Sequence, residues 1–424
     1  MRGAALLVLV VLLPADVLGT RSAASNKRSS KRGRSLNSFV FVPHDVADKM
    51  DQSALCDQSK SEFRRQALIS ESVEFPCRPG DGLYRSSRRP LSVHRLRPGD
   101  VDVVAAMGDS LIAGNGATED YALGTFIESR GVSWAIGGDA TWREYLTLPN
   151  LLKEFNPRVT GYSMGKAEFL TPSTALNVAF PVSADQDALS QAKSLVFKMK
   201  QSPAIDFEND WKMVTLFFGA NDLCSGQCYK KEQFTPAAHA YKLMKALDYL
   251  DENLPRTLVN LVPVLDVSVS VRIKRSLVCR MLHMLFCSCF HRSGDVMSNI
   301  ISMTRQYQDQ EQVLISSGRY NRKDDFTVVI QPFMTFFNAP SNATDRYKEV
   351  IDISYITHDC FHFSQKGHAL AANLLWNNLL EPVGAKSRRS IDYPFQKVYC
   401  PTTKNPYLFT YNNSIRFYQT GSQL

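Results

Sequence analysis

No stretch of this sequence is both long and apolar enough to span a bilayer. Its most concentrated apolar run, Ala4–Leu13, is about half the ~20 residues a spanning helix needs. The stretch Ser387–Leu424 is polar and ends without a hydrophobic tail, so no transmembrane anchor and no lipid-anchor signal are expected. No internal repeat is present, which excludes a repeat array. The basic residues carry no interleaved aromatics and no nucleic-acid reader motif follows them, so no nucleic-acid partner is expected. The histidines near the close cysteine pairs lack ligand spacing, so no metal and no cofactor are expected.

What is present points outward from the cell. Arg2, the apolar run and the small-residue step Leu18-Gly19 read as a secretory signal peptide over residues 1–19. Arg21, Lys27, Arg28, Lys31, Arg32 and Arg34 then fall in one stretch of a chain with net charge +8. Residues 20–36 are expected to be a solvated basic segment, with Lys27-Arg28 and Lys31–Arg34 suited to a basic-specific protease. Of nine cysteines, most are expected to be paired in an exported chain, and the odd number leaves at least one free or intermolecular. Asn342-Ala343-Thr344 and Asn412-Asn413-Ser414 are glycosylation sequons and predict surface loops at Asn342 and Asn412.

Hydrophobic residues make up 44% of the chain, enough for a full core. Residues 37–96 read as an N-terminal strap, residues 97–410 as the main domain and residues 411–424 as a tail. Val101–Ala106, Lys212–Phe218, Thr257–Val262 and Phe326–Ile330 are short apolar runs rich in β-branched residues, the pattern of strands buried on both faces. Between them, Leu189–Met199 and Pro236–Leu250 place apolar residues at helical spacing, the second through Ala240, Leu243, Met244 and Leu247. Alternating strands and helices predict an α/β fold, a parallel sheet covered on both faces. Ligands of such sheets sit at the carboxyl ends of the strands.

Three motifs lie there. Gly108-Asp109-Ser110-Leu111 follows the first strand, placing a serine where a helix start favours negative charge. Gly219-Ala220-Asn221-Asp222 ends the second, and the Asn221 amide is suited to a developing oxyanion. In Asp359-Cys360-Phe361-His362 a carboxylate three residues before an imidazole can hold its Nδ1 and leave Nε2 for a serine. His358 and His368 are rival histidines, read as packing residues.

Together these motifs resemble the GDSL (SGNH) hydrolases, most closely a single repeat of the membrane-associated phospholipase B family. Ala113–Gly116, Ser133–Asp139, Leu148–Asn150, Lys153–Pro157, Gly219–Cys224, Asp325–Val329 and Asp359–Ser364 carry the likeness, which runs from about Phe75 to Leu408. The resemblance implies a three-layer α/β/α sandwich with a small parallel sheet (a flavodoxin-like arrangement). It also implies a secreted serine esterase or lipase acting on fatty-acyl esters of phospholipids and lysophospholipids, with retinyl and glyceride esters as further substrates. Ser110 would be the nucleophile, His362 the general base and acid, and Asp359 the group that orients the imidazole. The Ser110 N–H, the Asn221 side chain and the N–H of residue 182 would hold the oxyanion. The family pattern Asn-x-Ala-x-Pro-Gly breaks there: Asn177–Val182 ends in valine. Valine is disfavoured at positive φ, so Val182 raises the alternative of a catalytically weakened relative that binds lipid or a partner protein. An esterase for sugar acetyl groups is a third reading. Ser276–Phe286 is read as a disulfide-stapled loop packed on the domain, with transient lipid-surface contact as its rival.

Overall fold

The computed structural model describes residues 63–77, 83–273, 275–291, 296–340 and 352–424, and of residues 291, 296 and 297 the backbone alone. The expected signal peptide and basic segment, the first part of the strap, Cys56 and Asn342 lie outside the described residues.

Four strands form one parallel sheet in the order β1 (Val103–Gly108), β2 (Lys212–Phe217), β3 (Thr257–Leu261) and β4 (Phe326–Ile330). Every strand residue is buried, as a sheet covered on both sides requires. Side chains alternate between two cores. Val103, Ala105, Met107, Val214, Leu216, Val259 and Leu261 enter one, and Val104, Ala106, Met213, Phe217 and Leu258 the other. Among the described residues the α-helices are α1 (Ser110–Ala113), α2 (Leu148–Lys153), α3 (Ala188–Gln201), α4 (Gln227–Tyr229), α5 (Pro236–Asn253), α6 (Val269–Arg272), α7 (Leu277–Phe286), α8 (Val296–Ser316), α9 (Gln365–Leu379) and α10 (Tyr411–Thr420). The buried residues of α3 and α5 fill the first core, and those of α1, α2 and α9 join the second. The result is the expected α/β/α layering.

Where the fold differs from the sequence reading, tertiary contact is the reason. The buried stripe of α5 runs through His239, Leu243, Ala246, Leu247 and Leu250, rotated from the expected one, because a histidine is taken inward. Ser276–Phe286 is a helix, capped by the Ser276 side chain, not a loop. Disulfides hold both its ends: Cys279–Cys360 at the start and Cys224–Cys287 just past the end, with Cys228–Cys289 beyond. Cys77–Cys400 ties the strap to the C-terminal region. The expected tail contains α10, opened by a capping box between Thr410 and Asn413. Asn412 is exposed but stands in the first turn of that helix rather than in a loop.

Candidate active site

Ser110 opens α1 immediately after β1. The crossing is tight: a Cβ on Gly108 would lie 2.5 Å from the Phe217 carbonyl oxygen, so only glycine fits there. Asp109 caps the helix by accepting the Leu111 N–H at 2.9 Å. Burial pushes the Asp109 carboxyl up to about 7. The Gln191 side chain holds Gly108 from both sides, accepting its N–H and donating to its carbonyl at 2.8 Å each. Ser133 Oγ and Trp134 Nε1 donate to the carbonyls of Ile112 and Leu111. The Ser133–Asp139 block therefore braces the helix that carries the serine.

The structure brings Ser110, His362 and Asp359 together. His362 Nε2 lies 2.7 Å from Ser110 Oγ, and His362 Nδ1 lies 2.5 Å from Asp359 Oδ2. Asp359 Oδ1 accepts the N–H groups of Phe361 and His362 and the Thr357 hydroxyl, at 2.9, 3.1 and 2.5 Å. Thr125 donates to Oδ2 at 2.6 Å and sits 3.0 Å from His362 Nδ1. Burial alone would raise the Asp359 carboxyl. The His362 imidazole and the hydrogen bonds from His362, Thr125 and Thr357 outweigh it and hold the group well below the usual carboxylate range. Between the two residues, Cys360 has φ of 63°, a conformation that costs a non-glycine residue about 1–3 kcal/mol. The bridge to Cys279 and the pairing of Ile356 with Phe363 restrain it.

Neither rival histidine reaches Ser110. His368 is buried, its Nδ1 accepts the Trp134 N–H at 3.2 Å, and burial lowers its imidazole to about 3. His358 accepts from the Arg64 guanidinium at 3.3 Å, and burial together with that charge lowers it. Thr125 and Gln191 are not legible in the sequence, because no local spacing links them to the motifs they serve. Thr357 stands two residues before Asp359, but only the fold shows its hydroxyl turned to that carboxylate.

The expected oxyanion groups are arranged unexpectedly. The Ser110 N–H and the Asn221 Nδ2 both point at one atom, the Pro181 carbonyl oxygen, at 3.2 Å each. Asn221 Nδ2 also donates to the Ser183 carbonyl at 2.9 Å. A trans peptide is planar, with its C=O and N–H on opposite sides, and no peptide bond here is cis. The Val182 N–H therefore faces away from the other two donors, and the structure does not bring it to them.

Beneath this loop lies a buried charge network. His239 sits between Asp185, 3.3 Å from Nδ1, and Glu311, 3.1 Å from Nε2. Lys242 reaches Asp185 at 2.6 Å, and Asp222 accepts the Asp185 N–H. Burial opposes charge on His239, but hydrogen bonds to Asp185 and Glu311 raise its imidazole to about 9. Asp185, Asp222 and His239 are close enough to share a metal ion. The Lys242 ammonium and the His239 imidazolium already supply positive charge to these carboxylates.

A cleft of about 360 Å³ opens over Ser110 and His362. Phe126, Val182, Leu282, Phe286 and Phe361 line it. Around its mouth, α7 exposes Leu277, Met281, Met284 and Leu285, while Phe126 and Phe286 meet edge to face.

The family described as GDSL-like Lipase/Acylhydrolase matches residues 104–375. The chain is 39% identical over 361 residues to human "Phospholipase B1, membrane-associated", covering 83% of this chain and 24% of that protein. For the rat protein of the same name the values are 38% over 354 residues, 82% and 24%. The chain thus spans about a quarter of the length of these relatives. Among solved structures it is similar to a catalytic mutant of an acetylxylan esterase from Geobacillus stearothermophilus. There the identity is 12% and the TM-score 0.36, covering 64% of this chain and 90% of that one.

Proposed function

The chain belongs to the GDSL-like lipase/acylhydrolase family, and from that premise we propose that it hydrolyses fatty-acyl esters of phospholipids and lysophospholipids through Ser110, His362 and Asp359. Carboxylic ester hydrolysis is the family's chemistry, and the phospholipase B1 relatives share it. The observation that carries the residue assignment is the unbroken chain of hydrogen bonds Ser110–His362–Asp359 at the floor of an apolar cleft.

In this mechanism His362 Nε2 takes the Ser110 proton as Oγ bonds to the ester carbonyl carbon. The ionised Asp359 holds the ring tautomer and stabilises the imidazolium that forms. The imidazolium then protonates the leaving lysolipid or glycerophospho-alcohol as the tetrahedral intermediate breaks down to acyl-Ser110. A water deprotonated by His362 releases the fatty acid and restores the serine.

Lipid acyl chains fit the cleft because its walls are aromatic and aliphatic, and burying each methylene there contributes about 0.8 kcal/mol. The exposed apolar face of α7 beside the mouth supports transient contact with a lipid surface. Among the described residues no helix is long and apolar enough to cross a membrane. The four disulfides favour an oxidising, exported setting, and we propose a secreted protein whose catalytic domain spans residues 97–410. Fatty-acid release from lysophosphatidylcholine by the pure protein and by Ser110→Ala tests the mechanism. Wild-type release should exceed that of the variant by several orders of magnitude, and equal rates refute the assignment.

A further inference from the structure

Phe180–Pro181–Val182–Ser183 is a β-turn, closed by the Ser183 N–H on the Phe180 carbonyl at 2.9 Å. Proline in its second position fixes φ near −65°, which serves type I and type II turns equally. The two types differ by a half-turn of the central peptide, here Pro181–Val182. Type II needs positive φ at the third position and so favours glycine. Positive φ among the described non-glycine residues is confined to Ala140, Ala175, Arg256 and Cys360, so Val182 does not adopt it and the turn is not type II. The Pro181 carbonyl consequently faces the Ser110 N–H and the Asn221 amide.

Everything around that peptide is pinned. The Phe180 N–H bonds the Gly108 carbonyl, the Arg130 guanidinium holds the carbonyls of Asn177 and Ala179, and Gln191 donates to Ser183 Oγ at 2.9 Å. The Asp185 N–H is held by Asp222. Val182 is 71% exposed, so its side chain is not locked in the core and does not anchor the peptide that precedes it.

We propose that the Pro181–Val182 peptide is an internal cap on the oxyanion hole. In the observed turn a protein carbonyl occupies both donors meant for the substrate oxyanion. Rotation to the type II turn withdraws that carbonyl and presents the Val182 N–H as a third donor. Residue 182 therefore sets the turnover rate through its tolerance for positive φ, and valine keeps the hole closed most of the time. This rests on the ester-hydrolase reading and deepens it.

The test is kcat and KM for fatty-acid release from lysophosphatidylcholine by the full chain and by V182G, V182N and V182A, each also carried on Ser110→Ala. Left-handed backbone disfavours ordinary residues enough to predict a rise in kcat of about tenfold for V182G. V182N should gain less and V182A least, because asparagine visits positive φ more readily than alanine. The rate at which a fluorophosphonate labels Ser110 should rise in the same order, since its phosphoryl oxygen uses the same donors. A gain that follows side-chain size, with V182A above V182N, overturns the cap. So does V182G turning over no faster than wild type. Absence of Ser110 labelling in every variant instead overturns the hydrolase reading itself.

Discussion

Replacing Asp359 by asparagine isolates what its carboxylate does. Oδ1 accepts three donors, from Phe361, His362 and Thr357. An asparagine must keep its carbonyl oxygen there, because an amide NH2 cannot accept them. Its nitrogen then falls at the Oδ2 position, facing His362 Nδ1 and the Thr125 hydroxyl. An NH2 group facing Nδ1 makes that nitrogen the acceptor and moves the ring proton to Nε2. Nε2 then points a proton at Ser110 and cannot take one. The wrong tautomer in a triad lowers kcat by about 10⁴, equivalent to roughly 5.4 kcal/mol at 1.36 kcal/mol per decade. The assay is single-substrate kinetics on lysophosphatidylcholine with Ser110→Ala as the floor, together with a folding check by near-UV circular dichroism. Asp359→Ala removes the misdirecting amide but leaves the Phe361 and His362 N–H groups without their acceptor, so it should be the less stable protein. A correctly folded Asp359→Asn enzyme within tenfold of wild type would refute the assigned role of the carboxylate.

Three further outcomes follow from the same structure. His239 is raised to about 9 in the fold against about 6.5 in the unfolded chain. Its stabilising contribution is therefore complete below about pH 6.5 and is lost as pH rises through 9. Melting temperature should fall over that window and fall less in His239→Gln; parallel curves would show that the charge balance among Asp185, Asp222, Glu311 and Lys242 does not depend on the imidazolium, whose ring packs against Tyr307. Opening the Cys279–Cys360 bridge with Cys279→Ser frees a loop of 81 residues. By chain entropy this costs about 4–5 kcal/mol, and urea denaturation measures it. Because Cys360 lies between Asp359 and His362, kcat should also fall under conditions where the variant remains folded. Met281→Glu with Leu285→Glu on the exposed face of α7 should weaken binding to phosphatidylcholine vesicles in a flotation assay. It should also reduce activity on micelles more than on a water-soluble ester. Equal losses on both substrates would argue against a lipid-facing helix.

Much of this protein was settled along the chain. The four strands were legible because β-branched apolar runs of that length are stable only when buried on both faces, and no neighbour is needed to see it. Ser110, Asp359 and His362 were legible because each lies in a short motif whose spacing has a local geometric meaning. Tertiary structure decided the rest, because it depends on which distant groups meet. Thr125 reaches Asp359 across 234 residues. The inward turn of His239 on α5 exists only because Asp185 and Glu311 arrive from other elements. The cysteines crossed between their close pairs, since adjacency in sequence says nothing of which sulfurs converge. A valine could be noticed at position 182, but not that the peptide before it presents its carbonyl to Ser110 and Asn221. That orientation is set by the pinned ends of one turn and the φ its third residue accepts.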